Sequence, residues 1–140
     1  MAIYVIIDTN VLVSAMLSVH DDSATVQTLR LALKGDIIPL LSKDILIEYD
    51  DVLHRPKFSF KEGDIKNIIS ALEDKGIMLE PDATNKIIPD MKDLPFYELY
   101  LDKEHDEPYL VTGNLEHFPK SPNIVTPRQF VEASDKLLTT

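Results

Sequence analysis

Cysteine is absent from this chain of 140 residues, which excludes disulfides and thiolate metal sites and suits a reducing compartment. Glycine is scarce, at four residues, and no internal repeat or low-complexity tract is visible. No apolar run is long enough for a membrane span. The one near the N-terminus, from Ile3 to Ile7, lacks a preceding basic region and is too short for a signal peptide. The chain therefore reads as cytoplasmic, with no membrane contact. Positive charge is in deficit: Lys and Arg number 14 against 24 Asp and Glu, a formal net charge of -10. That balance argues against general polyanion binding, because phosphate contacts need Lys and Arg. It also leaves room for an acidic site whose local charge is inverted once a divalent cation is in place. A serine-elbow motif is missing as well, so no protein nucleophile is indicated. What is present is enough apolar residue, 44%, to build a core, in a length that fits one domain over 1–140.

The most informative segment is Ile3-Tyr4-Val5-Ile6-Ile7-Asp8-Thr9-Asn10. An unbroken, mostly β-branched apolar run reads as a strand buried on both faces. It stops at a carboxylate, so Asp8 stands at the carboxyl end of a central strand. In open parallel α/β sheets ligands bind in the crevice above those ends. Asp8 is thus a candidate metal ligand, and equally a candidate helix cap, since Asp, Thr and Asn all cap well.

Strands and helices alternate along the rest of the chain. Helices are expected after Asp8, capped by Thr9 or Asn10, and after Ser23, ending at Gly35. Others are expected over 43–54, capped by Ser42 and stopped by Pro56, over 61–75, ending at Gly76, over 95–103, and over 127–137. Strands are expected at 37–41, 77–79, 109–112 and 124–125. This alternation predicts βαβ units and a three-layer α/β/α sandwich around a central parallel sheet.

Several acids sit where such a fold could use them. Glu48 and Asp50 lie at opposite margins of the apolar stripe of helix 43–54, at about 100° per residue, and spacing does not choose between them. Asp90 and Asp93 precede helix 95–103, where an Asp also serves as a cap. Asn114 follows Val111-Thr112-Gly113 at another strand end. Arg55, Lys57, Lys61 and Lys66 make 54–66 the basic stretch of an acidic chain. It reads as a solvated face or, alternatively, as a strip along a nucleic-acid backbone, with Arg55 and Lys57 as RNA-contact candidates.

In order and spacing, four segments resemble a PIN domain, and within that superfamily the toxin components of toxin–antitoxin pairs (VapC-like ribonucleases). They are Val5-Ile6-Ile7-Asp8-Thr9-Asn10 through Ser14, Leu46-Ile47-Glu48-Tyr49 through Phe58, Asp90 to Phe96, and Leu110-Val111-Thr112-Gly113-Asn114-Leu115-Glu116-His117-Phe118-Pro119. The resemblance implies a nuclease with a magnesium or manganese site formed by Asp8, Glu48 and Asp93. Thr9, Asn10, Ser14 and Thr112 correspond to supporting polar positions. Asn114 stands where the family often has a fourth Asp; it keeps an oxygen ligand and removes a charge. The resemblance further implies an RNA substrate, a cognate antitoxin protein and a twofold homodimer. It aligns Asp93 rather than Asp90 with the third acid, and Asp90 is expected on a looser loop after Pro89.

Three other readings compete. A protein of the same fold without turnover would bind RNA or a protein partner, a reading that Asn114 and the net charge favour. A dehalogenase-like phosphatase would need a second Asp where Asn10 stands. A receiver domain would need an acidic neighbour for Asp8. His54, His105 and His117 read as surface or packing residues, with His117 anchoring the loop at Phe118-Pro119.

Overall fold

Residues Val5 and Ile6 are wholly buried, as are Leu110 and Val111. These two runs form the middle of the sheet. The structure, a computed structural model, describes residues 2–139. Its elements in chain order are β1 (Tyr4–Ile7), α1 (Thr9–Leu17), α2 (Ala24–Lys34), β2 (Ile38–Leu41), α3 (Lys43–Leu53), α4 (Glu62–Lys75), β3 (Ile77–Met78), α5 (Leu94–Asp102), β4 (Tyr109–Val111), β5 (Ile124–Val125) and α6 (Pro127–Leu138). Short 3-10 turns at Pro56–Phe58 and Met91–Asp93 follow α3 and precede α5.

Local chemistry explains most boundaries. The Ser23 and Ser42 hydroxyls accept from the backbone N–H of Val26 and Ile45, capping α2 and α3. Thr126 and Gln129 form a reciprocal capping box at α6. Gly35 ends α2 at φ 83, the left-handed conformation that glycine adopts without strain. Gly76 ends α4 for another reason. Its backbone is extended, and a Cβ there would stand 2.6 Å from the Pro39 carbonyl oxygen and 2.7 Å from that of Leu72. Only glycine lets α4 turn into β3 this close to β2.

Two helix starts differ from expectation. The cap position of α1 is Asp8, not Thr9 or Asn10, and its carboxylate makes no capping bond. Thr9 is already inside the helix. The helix expected from Pro95 begins at Leu94, after the 3-10 turn, with Pro95 in its first turn. Asp90 caps that turn, its Oδ1 accepting from the Lys92 N–H at 3.0 Å.

All five strands are parallel, in the order β3-β2-β1-β4-β5. Among the described residues six helices flank the sheet, giving the three-layer α/β/α sandwich that the alternation predicts. The chain first builds outward from β1 to β2 and β3, then crosses back to place β4 and β5 on the other side. The reversal falls between β1 and β4, which pair in register with Ile7 opposite Val111. Such a switch point leaves a crevice outside the strand ends. Asp8 and Thr112 are the residues that follow those two ends.

Candidate active site

Asp8 is only 2% exposed. Its N–H donates to the Val111 carbonyl at 3.0 Å, continuing the ladder one step past β1. Its carboxylate is held from β4: the Thr112 hydroxyl donates to Asp8 Oδ2 at 2.7 Å and accepts from the Asn114 N–H at 3.0 Å. Thr112 itself is fully buried. Burial pushes the Asp8 carboxyl up from its ordinary 3.8 to about 6, the Thr112 hydrogen bond opposes this, and the charges of Asp93 and Glu48 add to the rise.

Glu48 comes from α3, and of the two acids that spacing left open it is the one whose charge is felt at Asp8. The Thr9 hydroxyl donates to Glu48 Oε2, joining the first turn of α1 to α3. Burial raises the Glu48 carboxyl, the Thr9 bond counters it, Asp93 raises it further and Arg55 lowers it. Asp50 points outward and meets His54 at 3.4 Å. Asp8 and Glu48 form no ion pair among the described residues.

Asp93 supplies the third carboxylate from the start of α5. Its side chain makes no capping bond. His117, expected only to anchor its loop, is brought to this carboxylate: its Nδ1 lies 2.9 Å from Asp93 Oδ2 and 3.5 Å from Asp90 Oδ2. Burial raises the Asp93 carboxyl, and the His117 hydrogen bond opposes it. For His117, burial lowers the imidazole, but hydrogen bonding to Asp93 and the charges of Asp93, Asp90 and Glu116 more than reverse this. Nor is Asp90 on a loose loop. Its side chain caps the 3-10 turn, and its N–H donates to the His117 carbonyl at 3.3 Å.

Tyr49 was legible only as a core residue, yet it braces all three arms. Its hydroxyl donates to the Ile7 carbonyl just before Asp8, and its backbone neighbours Glu48. Its ring packs 6.3 Å from that of Phe96, one turn into the helix that Asp93 precedes. The apolar pattern gave no sign of this hydroxyl contact, which depends on a partner 42 residues away in sequence. His117 was equally hidden, since its carboxylate partner is 24 residues upstream.

The remaining candidates are less engaged. Asn10 and Ser14 are exposed, and their side chains make no hydrogen bond among the described residues. Asn114 is half-buried and joins the site through its backbone. Arg55 is exposed and lies 3.7 Å from Asp51, while Lys57 Nζ stands 5.1 Å over the Phe58 ring. Of the two, Arg55 is felt at the acid cluster, through Glu48.

Asp8, Glu48 and Asp93 offer oxygen donors of the kind a hard divalent cation takes, and they are coupled electrostatically; among the described residues, the group whose ligand atoms lie within 4.8 Å of one another is Asp90, Asp93 and His117. Among the described residues no helix is long and apolar enough to cross a membrane. A family model described as a PIN domain matches residues 4–116. No curated protein and no solved structure gives a significant match to the chain.

Proposed function

The chain belongs to the PIN-domain family, a family of nucleases, and on that premise we propose that it is a magnesium- or manganese-dependent endoribonuclease acting as the toxin of a toxin–antitoxin pair. The observation that supports this most directly is the convergence of Asp8, Glu48 and Asp93. The Asp93 charge raises the proton affinity of both Asp8 and Glu48, Glu48 raises that of Asp8, and no lysine or arginine forms an ion pair with Asp8 or Glu48 among the described residues. Such crowding is unfavourable in an empty protein and favourable around a cation.

When bound, the cation supplies Lewis-acid activation of water and offsets charge on the phosphoryl oxygens. The chain's own residues do the rest. Thr112 and Thr9 hold the Asp8 and Glu48 oxygens in place through their hydroxyls. Asn114 adds a neutral amide near the rim, lowering the total charge relative to four acids. Arg55 and Lys57 offer two cations for the RNA backbone, one of them within electrostatic reach of Glu48. Asp8, buried and carrying a proton below about pH 6, is the acid whose ionisation the cation most needs. The expected partners are an antitoxin protein covering this crevice and a second copy of the chain in a twofold dimer, the commonest oligomer symmetry.

A mixed pool of RNA incubated with chelator-treated and metal-loaded protein tests the reading. Cleavage should require magnesium or manganese and should vanish in Asp8→Asn, whose shape is conserved and whose charge is not. Chelator-resistant cleavage that survives Asp8→Asn would remove the metal mechanism. Asn114 and the net charge of -10 favour a second reading, a binding protein without turnover. It predicts RNA or antitoxin binding with no cleavage under any metal. Light scattering at tens of micromolar, roughly the range where a modest interface shows, checks the dimer.

A further inference from the structure

The site described above uses Asp93 and leaves its two neighbours, Asp90 and His117, without a task. We propose that Asp90, Asp93 and His117 form a second divalent-cation subsite beside the Asp8–Glu48–Asp93 centre, sharing Asp93, and that its imidazole donor makes it prefer manganese, cobalt or zinc over magnesium. The proposal extends the nuclease reading but stands on its own residues.

Geometry carries it. One ligand atom from each of Asp90, Asp93 and His117 lies within 4.8 Å of the other two, and His117 Nδ1 stands 3.5 Å from Asp90 Oδ2 and 2.9 Å from Asp93 Oδ2. These atoms come from two segments far apart in sequence, the turn before α5 and the loop after β4. An outer hydrogen bond holds one of the three ligands. Asp90 Oδ1 is engaged by the Lys92 N–H, which leaves Oδ2 turned toward His117. On the far side of the imidazole, Nε2 lies 3.9 Å from Glu116 Oε1. A hydrogen-bonded carboxylate behind the distal nitrogen orients a metal-bound histidine and strengthens the donor; at this separation Glu116 is an ion-pair neighbour of the ring, not a hydrogen-bond partner. The backbone adds a tie, since the Asp90 N–H donates to the His117 carbonyl.

The donor set decides the cation. Magnesium prefers an all-oxygen octahedron and dehydrates reluctantly. One nitrogen and two carboxylate oxygens favour a borderline cation, with manganese at the weak end of the series and cobalt and zinc above it. Binding displaces the hydrogen bond between His117 and Asp93, and the imidazole loses its Nδ1 proton to solvent. His117 thereby brings a neutral donor to a rim where Asn114 has replaced a charge.

Manganese titrations followed by calorimetry and by pulsed electron paramagnetic resonance test the subsite without any RNA. The full chain should bind two manganese ions, and the spectrum should carry coupling from a directly bound nitrogen. His117→Gln should lose that coupling and weaken one site by about tenfold or more, at least as much as losing an outer partner costs. Asp90→Asn should weaken the same site, and Asp8→Asn the other. Magnesium should displace manganese from the second site poorly. A spectrum without nitrogen coupling, or unchanged manganese affinity in a folded His117→Gln protein, would overturn the proposal and leave His117 as a hydrogen-bond partner of Asp93 only. Intact manganese binding with no RNA cleavage would sink the nuclease and spare the subsite.

Discussion

Replacing Asp8 by Asn should stabilise the metal-free protein, although it removes the central ligand. Asp8 binds its proton more tightly in the folded chain than in the unfolded one, because burial disfavours its charge. Its contribution to stability is therefore most favourable below about pH 4 and is lost as the pH rises through about 6. The rise from 3.8 to about 6 corresponds to about 3 kcal/mol of unfavourable ionisation at neutral pH. Asparagine keeps an oxygen for the Thr112 hydroxyl but buries an amide whose N–H groups lack a partner, at a cost of about 1 kcal/mol. The net gain is about 2 kcal/mol, or roughly 6 °C in Tm for a domain of this size. Thermal unfolding in chelator at pH 7.5 reads it directly. The advantage should shrink toward pH 4, where wild-type Asp8 is protonated. Added manganese should reverse the order, because occupancy of the Asp8 site stabilises the wild type by about 2.7 kcal/mol at a hundredfold excess over that site's Kd, an increment the variant largely lacks. An Asp8→Asn protein no more stable than wild type in chelator at pH 7.5 would refute the claim that the cluster is held in an electrostatically unfavourable state until a cation arrives.

Three further outcomes are expected. Tyr49→Phe keeps the ring against Phe96 and loses the hydroxyl on the Ile7 carbonyl; we expect about 1–2 kcal/mol less stability by urea unfolding, with manganese affinity falling in parallel because Asp8 and Glu48 lose their brace. Thr112→Val removes the donor to Asp8 Oδ2 and the acceptor for the Asn114 N–H, so Asp8 should hold its proton to higher pH in a carboxyl NMR titration, and activity should shift alkaline. Gly76→Ala places a methyl against the Pro39 and Leu72 carbonyls and should cost about 2–3 kcal/mol of stability in a denaturant titration, far from the acids.

The sequence by itself determined the architecture. The β-branched run ending at Asp8, the alternation of strand and helix signals, and the serine, glycine and proline punctuation dictated a parallel sheet wrapped by helices, because those signals act over a few residues. It also placed Asp8 and Thr112 at strand ends, where a short-range pattern meets a general rule of parallel sheets. Tertiary structure alone decided which acids gather. Glu48 and Asp50 sit at equivalent margins of one stripe, and only the docking of α3 beside α1 brings Thr9 to Glu48. Asp93 and a histidine 24 residues later meet only because β4 returns beside β1. The Tyr49 hydroxyl finds a carbonyl 42 residues away for the same reason. Periodicity records which face of an element is buried; it holds no information about which distant element will cover that face, and a metal site is made of such meetings.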